Sequence, residues 1–437
     1  MHYLLELQSQ LDNIDLTQGS TYLEFIYGND NTHPALAEVI AVYIKPTKEK
    51  GYIIPINHPE AAFNWDKDEI FRWLGKGEFL VKDLKAALHT QPQLSYTDIQ
   101  SIHYSNTNTP FLDTHDTPAH AWYYRKFPQI KVNKLIPLGK HYERCERRQI
   151  DLSQAFAWSG GKSNELYNTK ILPTLYKLEQ QTLKVNNKFN NFFELKTPKH
   201  SLKENRIYGQ YNPYTTTGRP INNFNGLNFV GMKHGTGERK CFEPVNDMFV
   251  EMDYNGYHPR LIGEMVGFSF GEGSVHDTLA KMYFGTDEIT PEQYKEGKTL
   301  TFKMIYGGID KSLLEHEFFR KTQEYIDLNW ELFNKIGFIE TTGGRKIMGH
   351  NHPNINKQKL FNYLIQAYET ETNIDVMDNL HKYLSDKKTN FVMYIYDAFV
   401  FDVSKEDGRK VLEGIQDIVG SKFPINLKIG LDYGSLV

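Results

Sequence analysis

The chain has 437 residues, 40% of them hydrophobic and 24% charged, which predicts a globular protein of two or three domains. Its formal net charge of −4 excludes an overall basic field, so any nucleic-acid-binding surface has to be a local patch. The two cysteines, Cys145 and Cys241, exclude a disulfide framework and zinc-binding spacing and indicate a reducing compartment.

The first 150 residues predict a mixed α/β unit. Apolar runs with strand periodicity occur at Tyr22–Tyr27, Val39–Lys45 and Gly51–Ile56, and they predict three strands. Helical periodicity is found near Asp68–Leu74 and Val81–Leu88. The polar segment 140–148 separates this unit from the rest, so we place a domain boundary at about residue 150.

The rest of the chain predicts a sheet that carries a large helical insertion. Ser153–Ala157 and Glu165–Thr182 are predicted to be helical, the second with a kink at Pro173. Further helices should fill most of 258–335 and 357–384. Strands are expected near Arg206–Tyr211, Phe249–Asp253, Phe391–Val403 and Asn426–Leu431. A sheet interrupted by helices in this way is typical of an α+β fold.

Two aspartates follow hydrophobic runs of strand type. Asp253 ends the run that begins at Phe249, and Asp397 comes after Phe391–Tyr396. Two carboxylates brought together can hold two Mg²⁺ ions about 4 Å apart, one at the attacking and one at the leaving oxygen. Magnesium prefers oxygen ligands and shares its coordination shell with substrate phosphates. The pair therefore predicts two-metal nucleotidyl transfer, whereas an isolated aspartate in such a place would more often cap a turn or a helix.

A helical stretch, Lys298–Gly307, lies between the two aspartates. Lys298, Phe302 and Tyr306 occur at i, i+4 and i+8 and therefore share one helix face. A basic and aromatic face suits a nucleotide; an amphipathic helix with two core aromatics is the alternative.

From about residue 165 to the C-terminus, the order of the motifs resembles family A DNA polymerases, the bacterial DNA polymerase I type. Lys298, Phe302, Tyr306 and Gly307 reproduce the motif K-x-x-x-F-x-x-x-Y-G. The other matching segments are Thr217-Gly218-Arg219 with Leu227-Asn228, the run Arg239–Pro244 into motif A at Asp253-Tyr254, Asn362–Gln366 for N-x-P-x-Q, and Tyr396-Asp397-Ala398 at motif C.

The resemblance implies a right-hand polymerase with an antiparallel-sheet palm and helical fingers, plus an N-terminal RNase H-like α/β domain. Residues 1–150 would form a degenerate 3′–5′ exonuclease-like domain and residues 151–437 the polymerase domain. Within the latter we expect a reduced thumb at about 160–205, the palm at about 206–264 and 351–437, and the fingers at about 265–350.

The resemblance also assigns roles at the metal and nucleotide sites. Asp253 and Asp397 would hold two Mg²⁺ ions, with Mn²⁺ as an alternative, helped by the backbone carbonyl of Tyr254. Lys298 would neutralise triphosphate charge and act in catalysis. The remaining nucleotide contacts would be His276 at the triphosphate, Phe302 at the sugar and base, and Tyr306 near the templating position.

Contacts with primer-template DNA follow from the same motifs. Arg219 matches an arginine that reaches the minor groove at the primer terminus, where acceptors common to all base pairs report pairing rather than sequence. Asn362, Gln366 and Tyr396 are the other expected DNA contacts. Arg345 and Lys346 are candidates for phosphate contacts, although each alone is more simply a surface charge.

Several positions depart from the family pattern. His258 stands where motif A has the glutamate that excludes a ribose 2′-hydroxyl. Its imidazole is bulky enough to remain a steric gate at the nucleotide sugar, although the change from glutamate leaves open whether deoxyribose or ribose is selected. Tyr294 replaces an arginine for the γ-phosphate, and Lys295 beside it would supply a point charge instead. In motif C, Tyr396 replaces histidine and Ala398 replaces glutamate, which thins the acidic shell around Asp397.

Two regions look reduced. Only about 20 residues separate Asn186 from Arg206, far fewer than the family places in its thumb, which predicts weak DNA binding and low processivity unless a partner supplies a clamp. In the N-terminal domain, Ile26, Gly28 and Ala87 stand where nuclease metal carboxylates are expected, which predicts no proofreading. Carboxylates that remain near those positions are Glu24, Asp83, Asp113 and Asp116.

The sequence therefore predicts a compact, phage-type DNA polymerase that adds deoxynucleotides from dNTPs to a primer 3′-hydroxyl. An enzyme using ribonucleotides, primase-like or a single-subunit RNA polymerase, is the alternative that His258 favours. A catalytically weak DNA-binding replisome module is the other, favoured by Tyr396 and Ala398. No apolar run approaches the roughly 18 residues of a transmembrane helix and no secretory signal is apparent, so we expect a cytoplasmic protein without membrane contact.

Overall fold

The computed structural model describes residues 4–17, 20–46, 50–127, 132–158, 165–193, 202–222, 227–232, 235–271 and 273–437. Within these ranges no helix combines the length and apolar character needed to cross a membrane. The described residues form four β-sheets, of five, four, two and four strands.

The N-terminal region contains a five-stranded sheet with helices. Its elements, in chain order, are α1 (Gln8–Asp12), β1 (Thr21–Tyr27), β2 (Val39–Lys45), β3 (Tyr52–Pro55), α2 (Lys67–Leu74), β4 (Glu78–Val81), α3 (Leu84–Thr90), β5 (Ser95–Asp98), α4 (Ile99–Thr107), α5 (Pro118–Lys126) and α6 (Leu138–Trp158). The three predicted strands are confirmed. The segment Val81–Leu88, predicted as one helix, instead joins the end of β4 to α3 because Asp83 caps the helix at Ala86.

Strand order in this sheet is β3-β2-β1-β4-β5. β1 pairs with β2 antiparallel, placing Tyr22 opposite Lys45, and with β4 parallel, placing Thr21 opposite Phe79. Every residue of β2 from Val39 to Ile44 is buried, as a strand covered on both faces requires. The mixed sheet is the α/β unit predicted for the N-terminal region.

The predicted boundary segment 140–148 lies inside a continuous helix. α6 runs from Leu138 to Trp158, so a division at residue 150 falls within it. Both Arg144, at 2% exposure, and Arg148, at 6%, are buried, because they pair with carboxylates of the N-terminal unit. The charged residues of this segment therefore form ion pairs within the folded unit, so its polar composition does not mark a linker between domains.

The segment Glu165–Thr182 is helical only as far as Glu179, and the predicted kink takes the form of a π-helical turn at Tyr167–Ile171. Proline has no N–H to give to the carbonyl four residues earlier, and a π turn accommodates that missing bond. The elements that follow are α7 (Leu172–Glu179), β6 (Thr182–Val185), α8 (Phe189–Phe193), β7 (Leu202–Lys203), β8 (Arg206–Tyr208) and β9 (Phe242–Glu243).

These short strands form a sheet in the order β7-β8-β6-β9. Between Asn186 and Arg206 the described residues contain one helix, α8, of five residues. Long helices are therefore absent from the described part of the interval between Asn186 and Arg206, where the family has the long helices of its thumb.

The remaining elements, in chain order, are β10 (Met248–Tyr254), α9 (Tyr257–Val266), α10 (Val275–Phe284), α11 (Pro291–Gly307), α12 (Glu317–Ile336), β11 (Phe338–Glu340), β12 (Lys346–Met348), α13 (Lys357–Tyr383), β13 (Asn390–Ile395), β14 (Ala398–Val403), α14 (Arg409–Val419) and β15 (Ile425–Gly430). Four of them form an antiparallel sheet in the order β13-β14-β10-β15. The predicted fold, an antiparallel sheet whose strands are separated by a helical insertion, is confirmed.

The prediction of one strand over Phe391–Val403 is wrong. The segment is a hairpin, β13 and β14, in which Ile395 pairs with Ala398 across the turn Tyr396-Asp397. Aspartate is common in turns, but Tyr396-Asp397 lacks the glycine or asparagine that marks a two-residue hairpin turn. Apolar residues flank it on both sides, so the pattern predicted one strand. Asp397 consequently lies in the turn, beside the end of β10.

Candidate active site

Asp253 lies next to the last residue of β10, an inner strand of its sheet. Its backbone is opposite Ala398 on β14 and Asn426 on β15. The run Phe249–Met252 is fully buried or nearly so, whereas the Asp253 side chain is 27% exposed. The buried residues of β10 thus fix its backbone in the core. Asp253 places a carboxylate at the surface, at the C-terminal end of the strand.

The hairpin turn brings Asp397 to the same end of the sheet. The amide of Tyr254 donates a hydrogen bond to the carbonyl oxygen of Asp397 at 3.1 Å. Tyr396 adopts a left-handed backbone conformation, φ 58°, which is unfavourable for a bulky residue. Asn373 on α13 supports the turn by donating from Nδ2 to the Tyr396 carbonyl at 2.7 Å.

The two carboxylates repel each other electrostatically. Burial raises the pKa of Asp253 to about 6, and the negative charge of Asp397 adds to this. The pKa of Asp397 is raised by limited hydration and by the charge of Glu369. Lys428 Nζ is 3.9 Å from Asp253, but its closer partner is Glu251 at 2.6 Å. A cation between the aspartates would relieve their repulsion, and both ligands are of the oxygen type that Mg²⁺ prefers.

The predicted helix face on α11 is present. The helix starts at a capping box, Thr290 with Gln293, followed by Pro291 at its first position. The rings of Phe302 and Tyr306 are stacked, 6.1 Å apart with an interplanar angle of 7°. Phe302 is 42% exposed, more than a core aromatic would be.

Lys298, on the same face of α11, lies near both Asp253 and His276. Burial raises the pKa of Asp253 and lowers that of His276; the positive charge of Lys298 opposes the first shift and adds to the second. Lys298 is exposed, as is the neighbouring Lys295. The lysine at the start of the K-x-x-x-F pattern is therefore near Asp253.

His276 lies in the first turn of α10, after the N-cap residue Ser274. The side chain is 7% exposed, and its Nδ1 has no hydrogen-bond partner in the described part of the chain. Its ring meets Tyr294 edge-on at 5.9 Å. A buried nitrogen without a partner at a helix N-terminus is suited to an incoming anion.

Arg219 and His258 are joined by a residue that the sequence analysis missed, Glu369 on α13. Glu369 Oε2 accepts from Arg219 Nε at 2.8 Å and lies 2.8 Å from His258 Nε2. Because a carboxylate can only accept, the imidazole donates. No motif signal marks Glu369, which is three residues beyond Gln366. Most of its neighbours one helical turn away are polar, namely Gln366, Thr372 and Asn373. The sequence therefore gives no sign that this acid is buried.

Tyr306 and Tyr396 complete this cluster. The hydroxyl of Tyr306 hydrogen-bonds to His258 Nδ1, and burial raises the pKa of Tyr306 to about 12, so the hydroxyl keeps its proton and donates. The Arg219 guanidinium lies over the Tyr396 ring at 4.1 Å. The predicted residues of motif A, motif B and motif C, and the arginine of the T-G-R segment, thus meet in one place.

Asn362 and Gln366 are one turn apart on α13, the helix that carries Glu369. Both side chains are partly buried, and Asn362 Oδ1 has no hydrogen-bond partner among the described residues. Their predicted contacts with primer-template stay predictions, since their own hydrogen bonds do not single out a ligand.

The prediction for Arg345 is wrong. Its side chain is 1% exposed, so it can neither contact phosphate nor lie on the surface. The guanidinium binds Asn108 at the end of α4 and donates to the Thr217 carbonyl at 3.0 Å. Gly218, at φ 81°, leaves space that a Cβ would fill at 3.0 Å from this guanidinium. Arg345 therefore supports the loop that presents Arg219.

In the N-terminal unit, the retained carboxylates have protein partners. Arg148 pairs with Glu24 and with Asp113 at 2.8 Å, while Arg144 is 3.4 Å from Asp116. Asp83 caps α3. Arginine side chains consequently provide the positive charge that a nuclease would take from metal ions.

A second set of potential metal ligands, His33, His89 and Glu179, has atoms within 4.8 Å of one another. Glu179 already pairs with Lys85, and His33 Nδ1 accepts from the Ala35 amide while its Nε2 donates to the Gly209 carbonyl. The Lys85 ammonium supplies the positive charge that a metal ion would otherwise bring, so this cluster is better explained as a buried ion-pair network.

Comparison with known proteins agrees with the motif assignment. No family model matches the chain. DNA polymerase I of Synechocystis sp. is 21% identical over 280 residues, which cover 51% of this chain and 28% of that protein, so the chain spans little more than a quarter of its curated relative. The POL domain of Pol1 from M. smegmatis, solved with DNA primer-template and dNTP, matches with a TM-score of 0.70 at 15% identity, covering 98% of this chain and 97% of that one. The predicted resemblance to DNA polymerase I and the predicted right-hand polymerase fold are confirmed.

Proposed function

We propose that this chain is a template-directed DNA polymerase that adds deoxynucleotides to a primer 3′-hydroxyl. The observation that carries the proposal is the position of Asp253 and Asp397, side by side at one end of the antiparallel sheet. The positive charge of Lys298 on α11 acts on Asp253. A DNA polymerase I relative and a polymerase fold support the same reading.

Asp253 and Asp397 are the residues that would hold two Mg²⁺ ions, with Mn²⁺ as an alternative and the Tyr254 carbonyl as a further ligand. When bound, such ions lower the cost of developing charge at the attacking and leaving oxygens. The fit rests on the donor set: two oxygen ligands whose raised pKa values reflect, in part, nearby negative charge.

The α11 face and His276 would position the triphosphate and base. Lys298 neutralises phosphate charge, and the unpartnered Nδ1 of His276 gains a partner when an anion arrives. The half-exposed Phe302 ring offers an apolar surface to the sugar and base, with Tyr306 stacked behind it. Lys295 is the further cation on this helix. Positioning and charge neutralisation are the main contributions a protein makes to phosphoryl transfer.

Primer-template would be sensed by Arg219, with Asn362, Gln366 and Tyr396 nearby. The described part of the interval between Asn186 and Arg206 contains one short helix. We propose that this region makes few phosphate contacts and that a partner protein would be needed for processive synthesis. The proposal includes a nuclease-like N-terminal unit and a polymerase unit, with the boundary predicted at about 150 moved to the end of α6 at Trp158, and the phage-type subtype.

We further propose that the chain does not proofread. A nuclease of the two-metal type needs carboxylates free to bind ions, whereas Glu24 and Asp113 are engaged by Arg148. Because its carboxylates are held in ion pairs, the N-terminal unit would serve as a structural scaffold without nuclease activity.

The test is primer extension on a primed DNA template with Mg²⁺, using dNTPs and NTPs in separate reactions. Asp253→Ala is the inactive variant, and Asp417→Ala, an exposed aspartate on α14, is the matched control. We expect extension with dNTPs that is lost in Asp253→Ala and kept in Asp417→Ala. Preference for NTPs would instead favour the RNA-synthesising alternative that His258 suggests, and no extension with either set would favour a DNA-binding module.

A further inference from the structure

Glu369 is a buried anion whose partners all serve the candidate site. Its side chain is 0% exposed. Burial alone would raise its pKa, but the hydrogen bond from His258 and the charge of Arg219 outweigh burial and lower it. A buried charge is costly unless it is paired, so the carboxylate and its two partners stabilise one another in a single arrangement.

Among the described residues, only one of the two oxygens of the Glu369 carboxylate has hydrogen-bond partners. Oε2 takes the contacts with Arg219 and His258, whereas Oε1 has no hydrogen-bond partner among the described residues. Buried polar atoms are rarely left in this state. Leaving Oε1 without a partner costs free energy. This cost occurs beside Arg219 and His258, at the place where motifs A, B and C meet.

The cluster fixes the orientation of His258. With Nε2 bonded to Glu369 and Nδ1 to Tyr306, the imidazole is held at both ring nitrogens and has one favoured rotamer. Arg219 Nη2 also lies 3.0 Å from His258 Nε2. Loss of the carboxylate would remove the acceptor that orients Nε2 and the anion that holds Arg219. His258 would then keep Tyr306 at Nδ1 and the Arg219 guanidinium at Nε2, and Arg219 would keep the Tyr396 ring below it.

We propose that Glu369 is a positioning residue that couples the primer sensor Arg219 to the sugar gate His258, so that selection of deoxyribose over ribose depends on a carboxylate supplied by α13. The inference rests on the proposed polymerase function and deepens it. Glu369 acts through its two partners and need not touch the nucleotide.

The experiment compares Glu369→Gln with the unsubstituted chain in single-nucleotide incorporation, measuring kcat and KM separately for a dNTP and for the matching NTP. Glutamine keeps the shape and removes the charge. Glu371→Gln is the matched control, because Glu371 is on the same helix but accepts from Thr341 and Gly343 instead. Thermal unfolding of each variant shows that it is folded.

We expect Glu369→Gln to lower the dNTP-to-NTP ratio of kcat/KM about tenfold, which corresponds to loss of one charge-assisted hydrogen bond. Glu371→Gln should leave the ratio within about twofold. If Glu369 acts through His258, adding Glu369→Gln to His258→Ala should change the ratio no further than His258→Ala alone.

A fall in activity that is equal for dNTP and NTP would show that Glu369 is merely structural and would overturn the inference, as would full additivity with His258→Ala. Incorporation by the unsubstituted chain separates these results from failure of the proposed function. If that chain incorporates neither nucleotide, the polymerase proposal fails and the inference fails with it.

Discussion

The amide of Tyr254 donates to the carbonyl oxygen of Asp397 at 3.1 Å, and this bond joins the end of β10 to the turn of the β13–β14 hairpin. The residue on one side of the bond adjoins Asp253, and the other is Asp397 itself. The two backbone segments that carry the carboxylates are therefore held together by this hydrogen bond, which limits how far apart the carboxylates can lie, as a site for two ions requires.

Metal-dependent activity should be sensitive to acid. The pKa of Asp253 is about 6, so as the pH falls through 6 its carboxylate takes up a proton that a metal ion must displace. We expect the Mg²⁺ concentration for half-maximal extension to rise as pH falls from 7 to 5.5. The measurement is extension rate against Mg²⁺ at several pH values. An acid limb that high Mg²⁺ fails to shift would argue against Asp253 as a ligand.

Strain at Tyr396 can be measured with two substitutions. Tyr396→Ala and Tyr396→Gly both remove the ring over which Arg219 lies, but alanine keeps the cost of a left-handed backbone at φ 58°. We expect the glycine variant to be more stable than the alanine variant by about 1 kcal/mol. Urea unfolding of both proteins gives the comparison. Equal stabilities, or a more stable alanine variant, would mean that the turn relaxes without cost.

Arg345→Lys should destabilise the protein although the charge is kept. Lysine cannot reproduce the forked geometry with which Arg345 binds Asn108 and the Thr217 carbonyl. We expect a loss of about 2–4 kcal/mol in the free energy of unfolding, measured by chemical denaturation. Lys346→Arg, at the partly buried neighbouring position, is the control and should change stability by less than about 0.5 kcal/mol.

Arg148→Met should destabilise the N-terminal unit without producing a nuclease. The substitution leaves Glu24 and Asp113 without their shared guanidinium, and breaking a buried pair in this way costs about 3–5 kcal/mol. Thermal unfolding tests the loss, and degradation of a single-stranded DNA 3′-end in Mg²⁺ tests for nuclease activity. Metal-dependent degradation by this variant would show that the arginine merely masks a working nuclease site.

The acid response of this ion pair has a definite sign. Burial would raise the pKa of Asp113, but Arg148 and Lys82 outweigh burial and hold it well below its usual range. A carboxyl group with a depressed pKa stabilises the folded state above its unfolded pKa of about 3.9 and loses that contribution as pH falls further. Chemical denaturation at pH 3 and pH 5 should therefore show a smaller difference in Arg148→Met than in the unsubstituted chain.

Local patterns in the sequence were sufficient for the elements that carry the motifs. The apolar run Phe249–Met252 predicted β10, and the spacing of Lys298, Phe302 and Tyr306 predicted the exposed face of α11. Helix and strand periodicity reflect contacts within a few residues or with one buried face, so they are visible in a single chain. The order of the motifs then predicted the polymerase fold, which the structural comparison confirmed.

Tertiary structure alone decided how those elements are held together. Glu369 and Arg219 are 150 residues apart, Arg345 and Asn108 are 237 apart, and the Tyr396-Asp397 turn is supported by Asn373 on α13. Periodicity cannot report such contacts, because the free energy that makes a buried charge acceptable comes from partners brought near only by folding. The sequence therefore determined which residues could perform the chemistry, and the packing of distant segments determined how they are positioned.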